Sequence, residues 1–215
     1  MLLSLVVIKM TLIHMLEDLE IKGITDKKVL EAIKNIPRHL FVPEELKNLA
    51  YEDQALPILS QSISQPYTVA FMLQNLNLKE KDKVLEIGSG SGWNSALIQN
   101  ITKTKVFSVE FDKELAKFAK SNLKKAEIKN VKIIIADGNK GYKKESPYNK
   151  IIVTAACSKI PYDLIKQLKN NGILIAPIGS LYEQSMIKIT KLKNEIKKEN
   201  LGQFVFVPLK GKYGF

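Results

Sequence analysis

The sequence predicts an α/β fold built on a mostly parallel β-sheet, for three reasons. Short apolar runs that are typical of buried strands alternate along the chain with segments of helical period. A glycine-rich turn joins one of these runs to a helix, and the next run ends in an acidic residue. Two consecutive strand-like segments close the chain, which predicts an antiparallel strand near one end of the sheet.

The N-terminal part of the chain predicts helices interrupted by irregular segments. Helical periodicity covers residues 12–19 and 27–36, and Thr25 or Asp26 is the candidate cap of the second helix. Two prolines end this pattern within residues 36–43, and residues 51–62 are typical of a loop. A third helix is predicted from Pro66 to about Leu76, with Ser64 as its candidate cap.

The rest of the chain predicts regular alternation of strands and helices. The predicted strands span residues 84–87, 105–110, 131–136, 150–155, 172–177, 186–192 and 204–209. The predicted helices span residues 93–101, 113–125 and 162–169. Because ligands of open α/β sheets bind at the carboxyl ends of strands, we expect the functional residues where these strands end.

Composition is that of a soluble globular protein, with 45% hydrophobic and 26% charged residues in a chain of 215. The single cysteine, Cys157, allows no internal disulfide, which suits a reducing compartment, so we expect a cytoplasmic protein. The apolar residues 1–8 are too short to span a bilayer and lack the pattern of a signal peptide. They are interpreted as a buried or interface segment, unless translation begins at Met10 or Met15.

A net charge of +11 raises the question of nucleic-acid binding. The chain has 33 basic residues, but Arg38 is the only arginine among them. Arginine is the residue that recognises phosphates and bases with two parallel hydrogen bonds, and the lysines here are scattered among Glu, Asn and Ser. The pattern therefore predicts a solvated lysine surface without a dedicated nucleic-acid site, and it favours no particular oligomeric state.

The most informative motif is the glycine-rich turn after the strand at residues 84–87. Its glycines, Gly88, Gly90 and Gly92, let the backbone turn sharply and approach a ligand closely. The spacing is Gly-x-Gly-x-Gly with Glu86 before it, whereas dinucleotide-binding folds use Gly-x-Gly-x-x-Gly. The following strand ends in Glu110, a carboxylate placed to accept both hydroxyls of a ribose.

This motif resembles motif I of the S-adenosylmethionine-dependent methyltransferases. The resemblance implies a Rossmann-like fold with a seven-stranded, mostly parallel sheet and helices on both faces. It also implies S-adenosylmethionine as the cofactor. The residues expected to bind this cofactor are Gly88, Ser89, Gly90, Gly92, Glu110 at the ribose, Phe111 against the adenine ring, and Asp137 and Gly138 near the adenine amino group.

Several further segments resemble one family, the protein-L-isoaspartate O-methyltransferases. They are residues 36–43, 50–58, 61–67, 84–92, 151–156 and 206–209. The resemblance implies methyl transfer to the free α-carboxylate of L-isoaspartyl residues in aged proteins, whose methyl ester then collapses through a succinimide. Ser64 matches the family's active-site serine, and Ser62, Ile63 and Gln65 join it in the expected cofactor site.

Three residues depart from the family pattern. Ser62 stands where the family usually has threonine, a change that keeps the hydroxyl. Trp93 replaces a more usual tyrosine, and Val205 stands where many members carry arginine. The resemblance also implies one methyltransferase domain over residues 1–215. Within it, residues 1–80 form an N-terminal helical and substrate-loop region, and residues 81–215 form the cofactor-binding sheet core.

The sequence offers no obvious general base and no cluster with metal-ligand spacing. His14 lies in a predicted helix and His39 between prolines, so both are interpreted as structural, and Cys157 as a buried core residue. An amine or hydroxyl acceptor would usually need a proton removed. A carboxylate acceptor is already ionised at neutral pH, since its reference pKa is about 4. Catalysis then reduces to alignment and desolvation.

Three alternative functions remain open at this point. An RNA methyltransferase fits the basic charge, but residues 154–157 lack the Asn/Asp-Pro-Pro-aromatic motif of amine-methylating nucleic-acid enzymes. A nicotinamide-dependent oxidoreductase shares the glycine turn and Glu110, but no Tyr-x-x-x-Lys set for hydride transfer occurs in a plausible place. A non-catalytic cofactor-binding module is disfavoured by the intact residues around Ser64.

Overall fold

A seven-stranded β-sheet forms the centre of the molecule. The computed structural model describes residues 2–211 and 214–215. Its strands are β1 (Leu56–Ile58), β2 (Gln61–Ile63), β3 (Val84–Ile87), β4 (Val106–Glu110), β5 (Val131–Ile135), β6 (Tyr148–Val153), β7 (Leu168–Gly179), β8 (Gln184–Lys191) and β9 (Ile196–Phe204). The order in the large sheet is β5-β4-β3-β6-β7-β8-β9. Strands β3 to β7 run parallel and β8 is antiparallel to both neighbours, which confirms the predicted sheet.

The register of the central strands brings three strand ends to one level. Ile87, the last residue of β3, lies opposite Val109 of β4 and Val153 of β6. The residues that follow, Gly88, Glu110 and Thr154, therefore meet at the carboxyl edge of the sheet. In open α/β sheets, a crevice forms at the carboxyl ends of two neighbouring strands whose connections lead to opposite sides of the sheet. Ligands bind in this crevice.

Helices cover both faces of the sheet, as predicted, but unevenly. They are α1 (Leu2–Ile21), α2 (Lys27–Asn35), α3 (Pro66–Leu76), α4 (Trp93–Thr102), α5 (Lys113–Lys125) and α6 (Tyr162–Gln167). Side chains from α1 to α5 form one apolar cluster with Val84 of β3, whereas α6 packs with Leu85 and Ile87 on the opposite face. Successive residues of β3 join different clusters because side chains alternate across a strand.

The first turns of α2 and α3 are capped in different ways. Asp26 caps α2 as predicted, since its carboxylate accepts a hydrogen bond from the backbone nitrogen of Lys28. The prediction that Ser64 caps α3 is wrong, because the N-cap residue is Gln65 and its side chain makes no capping bond. Asp53, distant in sequence, instead accepts the backbone N–H of Tyr67 at 2.7 Å. A tertiary contact has replaced the local cap.

Two segments differ from their predicted structure. Residues predicted as a loop contain the hairpin β1–β2, whose three-residue strands are too short to show a clear alternation. The last strand covers Ile196–Phe204 and not residues 204–209. Its exposed, charged side chains are typical of a sheet edge, where charge prevents pairing with other chains. Residues beyond it leave the sheet, and Pro208 pairs with Ala156 through an isolated bridge.

Helix α1 is longer than the sequence pattern indicated. Its backbone begins at Leu2 and ends at Ile21, whereas only residues 12–19 were predicted to be helical. Within the described ranges, the chain has no helix long and apolar enough to cross a membrane. The interpretation of residues 1–8 as a buried or interface segment concerns Met1 and side chains that lie outside the described part of the chain.

Candidate active site

The glycine turn after β3 presents its backbone to a cavity at the carboxyl edge of the sheet. Gly88, Gly90 and Gly92 all have positive φ, at 94°, 49° and 88°. A side chain at Gly88 would also collide with Thr154, because an added Cβ would lie 2.5 Å from its Oγ1 atom. The Thr154 hydroxyl lies 2.8 Å from the carbonyl oxygen of Gly88 and 3.1 Å from that of Ile87. Residues at the end of β6 thus fix the turn.

Glu110 forms the second part of the site, at the end of β4. Its side chain is buried, and its Oε2 atom accepts hydrogen bonds from the Gly90 backbone nitrogen at 3.1 Å and the Ser89 hydroxyl at 3.3 Å. Its Oε1 atom accepts the backbone N–H of Asp112 at 3.0 Å. These three donors hold the carboxylate beside the glycine turn, where it lines the same cavity.

One cavity brings together most of the residues that the sequence predicted. Its wall is formed by the glycine turn, the end of β4, the end of β2 with Ser64, and the segment 206–210. The predicted residues that line it are Ser62, Ile63, Ser64, Gly88, Ser89, Gly90, Glu110, Phe111 and Gly138. Ser64 and the glycine turn, which are distant in sequence, therefore line one shared cavity.

Three predicted residues, Gln65, Gly92 and Asp137, are not part of the cavity wall. Gln65 is the N-cap residue of α3, and Gly92 is the N-cap residue of α4. A Cβ added at Gly92 would lie 3.2 Å from the Ala119 carbonyl oxygen. The Oδ1 atom of Asp137 accepts hydrogen bonds from the backbone and side-chain nitrogens of Asn139, in the turn that follows β5. These residues shape the site from outside the wall.

Glu86 supports the glycine turn from beneath. It is completely buried, and it accepts hydrogen bonds from the side chains of Asn94 at 2.7 Å, Ser108 at 2.6 Å and Ser95. Burial raises the pKa of the Glu86 carboxyl to about 7, although the three hydrogen bonds oppose this shift. Glu86 therefore ties β3 to β4 and to the first turn of α4.

Ser64 lines the cavity, and its hydroxyl has no protein partner within the described part of the chain. Ser64 is half-buried, and no group within residues 2–211 and 214–215 forms a hydrogen bond with its Oγ atom. No histidine is found among the described residues that line the cavity. His39 instead bonds the hydroxyl of Tyr51 at 2.7 Å through its Nδ1 atom, and burial lowers the pKa of its imidazole. The described residues of the cavity wall thus provide Ser64 with no imidazole base.

Three residues that organise this site were not predicted from the sequence to have a role in it. Thr154 holds the glycine turn, Asp53 caps α3, and Arg38 donates hydrogen bonds from its buried guanidinium to backbone carbonyls, including that of Ser64. The one available signal was that Arg38 is the lone arginine in a lysine-rich chain. Two residues that depart from the family pattern differ in their surroundings. Trp93 is buried, whereas Val205 is 75% exposed and lies outside the cavity wall.

The sheet order, the glycine turn and the carboxylate at the end of the second parallel strand define an S-adenosylmethionine-dependent methyltransferase. The family model of protein-L-isoaspartate(D-aspartate) O-methyltransferase (PCMT) matches residues 10–214. The chain therefore belongs to this family.

Similar proteins agree with this assignment. A protein-L-isoaspartate O-methyltransferase of Dictyoglomus turgidum is 47% identical over 94% of this chain and 91% of its own length. A protein-L-isoaspartate O-methyltransferase of Pyrococcus abyssi is also 47% identical, over 93% of this chain and 94% of its own length. Among solved structures, a candidate protein-L-isoaspartate O-methyltransferase from Plasmodium falciparum in complex with S-adenosyl-L-homocysteine is 30% identical. It superimposes with a TM-score of 0.80 over 92% of this chain and 97% of its own.

Proposed function

We propose that this enzyme transfers a methyl group from S-adenosylmethionine to the free α-carboxylate of L-isoaspartyl residues in damaged proteins. One observation carries the proposal. Ser64 and the glycine turn, which is hydrogen-bonded to Glu110, line the same cavity, and no histidine is found among the described residues of its wall. Family membership favours this activity over an RNA methyltransferase, an oxidoreductase or a non-catalytic module.

The residues at the carboxyl edge of the sheet fit the cofactor. Gly88 and Gly90 have no side chain that could block a close approach to the backbone. The buried Glu110 carboxylate accepts three hydrogen bonds, which leaves one acceptor site, on Oε1, for a ribose hydroxyl. Phe111 and Gly138 stand beside it for the adenine ring. When bound, S-adenosylmethionine supplies a methyl group on a positively charged sulfur. The role of Asp137 is the less direct one of holding the turn that contains Gly138.

On the acceptor side, Ser64 aims the carboxylate. A serine hydroxyl donates one hydrogen bond, and a hydrogen bond to a charged group contributes about 1.5–3 kcal/mol. The hydroxyl itself is a poor nucleophile without a neighbouring base. The acceptor carboxylate needs no deprotonation, so its own oxygen attacks directly. The protein's contribution is to fix the geometry and to exclude water from the cavity.

We extend this proposal to the organisation of the chain. Residues 1–80 supply the acceptor side through the segment that contains Ser64, and residues 81–215 supply the cofactor side. The two regions act as one domain around one cavity, and a single apolar cluster with residues from both supports that division of labour. We also propose that the enzyme acts in the cytoplasm, because its one cysteine is buried and reduced.

The experiment that tests the function compares three substrates. Purified enzyme is incubated with radiolabelled S-adenosylmethionine and either an isoaspartyl peptide, the aspartyl peptide of the same sequence, or bulk RNA. We expect base-labile label on the isoaspartyl peptide alone, because a methyl ester hydrolyses in base. Equal labelling of the two peptides would remove the isoaspartyl specificity. Label on RNA without label on peptide would overturn the proposal.

A further inference from the structure

The buried arginine beside the active site makes an unusual set of contacts. Arg38 lies in a short 3₁₀ helix, Arg38–Phe41, and its side chain is fully buried. Its Nη1 atom donates to the carbonyl oxygen of Ala50 at 2.7 Å. Its Nη2 atom donates to the carbonyl oxygens of Gln54 at 3.1 Å and Ser64 at 3.0 Å. One guanidinium therefore joins three separate points of the backbone.

These contacts are not those of an ordinary salt bridge. Within residues 2–211 and 214–215, none of the ion pairs includes Arg38. The guanidinium carbon lies 5.5 Å from the centre of the Trp93 ring, and the Nε atom has no hydrogen-bond partner among the described residues. Burying a charge is costly unless it is well paired, so this arrangement is weak evidence for a role in stability. The specific feature is its bond to the residue that carries the candidate hydroxyl.

Trp93 connects this arginine to the cofactor side of the cavity. Trp93 is the first residue of α4 and follows the glycine turn directly. Its indole nitrogen donates to the carbonyl oxygen of Ile36 at 3.1 Å, two residues before Arg38. Contacts thus run from the glycine turn through Trp93 to Arg38 and on to the backbone of Ser64. The two sides of the cavity are held at a fixed separation.

We propose that Arg38 is a positioning residue that fixes the backbone of Ser64, so that its hydroxyl meets the acceptor in line with the cofactor. This inference rests on the proposed function, because it assigns Arg38 to the acceptor side of that site. Geometry of this kind matters, since a misplacement of about 1 Å can slow catalysis about a hundredfold. A planar guanidinium with five donors can span three carbonyls, whereas a lysine ammonium is a compact point charge on a flexible stem.

Arg38→Lys tests the proposal, because it keeps the positive charge and removes the planar guanidinium that spans the three carbonyl oxygens. We measure kcat on the isoaspartyl peptide, the affinity for S-adenosyl-L-homocysteine and the thermal unfolding temperature. Each is measured in the wild-type and in the Ser64→Ala background. We expect kcat to fall about tenfold in the wild-type background and by less than about twofold with Ser64→Ala, because residues that act as a unit are not additive. Affinity for S-adenosyl-L-homocysteine should not change.

Gln74→Met is the matched control. The Gln74 side chain also bonds three backbone groups, the nitrogens of Thr25 and Asp26 and the carbonyl oxygen of Gly23. It lies near the other end of α3, outside the cavity wall. We expect this variant to lower the unfolding temperature without changing kcat. A loss of kcat that simply follows stability in both variants would overturn a positioning role for Arg38.

Hydrogen exchange separates this inference from the proposed function. In the complex with S-adenosyl-L-homocysteine, Arg38→Lys should accelerate amide exchange in residues 50–67 whether or not a peptide substrate is methylated. Unchanged exchange, or an equal loss of kcat in both backgrounds, would overturn the inference. Arg38→Gln is the second variant. If neither Arg38→Lys nor Arg38→Gln folded, the guanidinium would be required for the fold, and the inference of a positioning role would be overturned. Wild-type enzyme inactive on isoaspartyl peptides would overturn the proposed function alone.

Discussion

We propose that the hydroxyl of Ser64 orients the acceptor, so its loss is expected to lower the turnover rate. We expect Ser64→Ala to lower kcat by about tenfold to a few hundredfold, which corresponds to one orienting hydrogen bond to a charged group of about 1.5–3 kcal/mol. Single-turnover kinetics and calorimetry with S-adenosyl-L-homocysteine measure rate and cofactor affinity separately. Affinity should stay nearly constant.

Ser60→Ala is the control for this change, because Ser60 is exposed in the β1–β2 turn and lies outside the cavity wall. It should leave kcat unaltered. Mass spectrometry of the wild-type enzyme incubated with cofactor alone should detect no methylated Ser64. A methylated serine that passed its methyl group to peptide would replace direct transfer by a two-step mechanism, and full activity of Ser64→Ala would remove Ser64 from the site.

Glu110 should contribute to cofactor binding through the ribose. We expect Glu110→Ala to weaken binding of S-adenosyl-L-homocysteine by roughly 1.5–3 kcal/mol, because a charged acceptor of hydrogen bonds is lost from a buried position. Calorimetry measures the change. Glu114→Ala is the matched control, since Glu114 is exposed on α5 and pairs only with Lys117 at its surface. Equal affinity of Glu110→Ala and wild type would contradict the ribose assignment.

Glu86 should make stability depend on pH. The pKa of its carboxyl is raised from 4.5 to about 7 by burial, so the folded state binds a proton that the unfolded chain has released. The contribution of the protonated Glu86 to the free energy of unfolding is therefore fully present below about pH 4.5 and is lost as the pH rises to about 7. We expect wild type to lose stability relative to Glu86→Gln across this window, as measured by denaturant unfolding at several pH values. A pH-independent difference would show that Glu86 does not titrate there.

At the scale of elements, the glycine turn between β3 and α4 combines two demands on the backbone. Gly88 has a φ of 94° and also lacks space for a side chain, because of the Thr154 hydroxyl. We expect Gly88→Ala to weaken binding of S-adenosyl-L-homocysteine by about tenfold or more, since the turn must move to relieve both the positive φ and the collision. Equilibrium binding and thermal unfolding are the measurements.

Gly23→Ala separates these two effects. Gly23 has nearly the same φ, 92°, but a Cβ added there would meet no atom of the described residues within 4 Å, apart from its neighbours in the chain. It should lower stability by about 1–2 kcal/mol, the cost of a left-handed backbone for an alanine, and leave the affinity unchanged. If both variants bound the ligand as wild type does, the glycine turn would not need its conformation for the cofactor.

For the whole molecule, the net charge of +11 is expected to act as a diffuse field. We expect any RNA binding to be weak, independent of sequence and steeply reduced by salt, because lysines spread over several segments make non-specific phosphate contacts. Filter binding of unrelated RNAs at several salt concentrations measures this. Submicromolar, sequence-selective binding at physiological salt would contradict the expectation of a solvated lysine surface.

The sequence alone determined the sheet core and the glycine turn. Strands β3, β4 and β6 are mostly apolar because both of their faces are buried, and such apolar runs are visible in a single sequence. Gly88 and Glu110 were also predicted from the sequence. A turn with positive φ requires glycine, and the position of a carboxylate at the end of the next strand follows from its spacing. Elements without a local pattern, the hairpin β1–β2 and the edge strand β9, were missed.

Only the tertiary structure decided how the acceptor side of the site is built. Asp53 caps α3 from outside the helix, and Arg38 holds Ser64 through carbonyl oxygens that every residue possesses. Bonds to backbone groups leave no mark on the residue type of the partner, so no sequence pattern predicts them. For Asp137, the place after a strand predicts a contact with the cofactor, and this stays a prediction. The folded chain adds that its Oδ1 atom accepts two hydrogen bonds from Asn139.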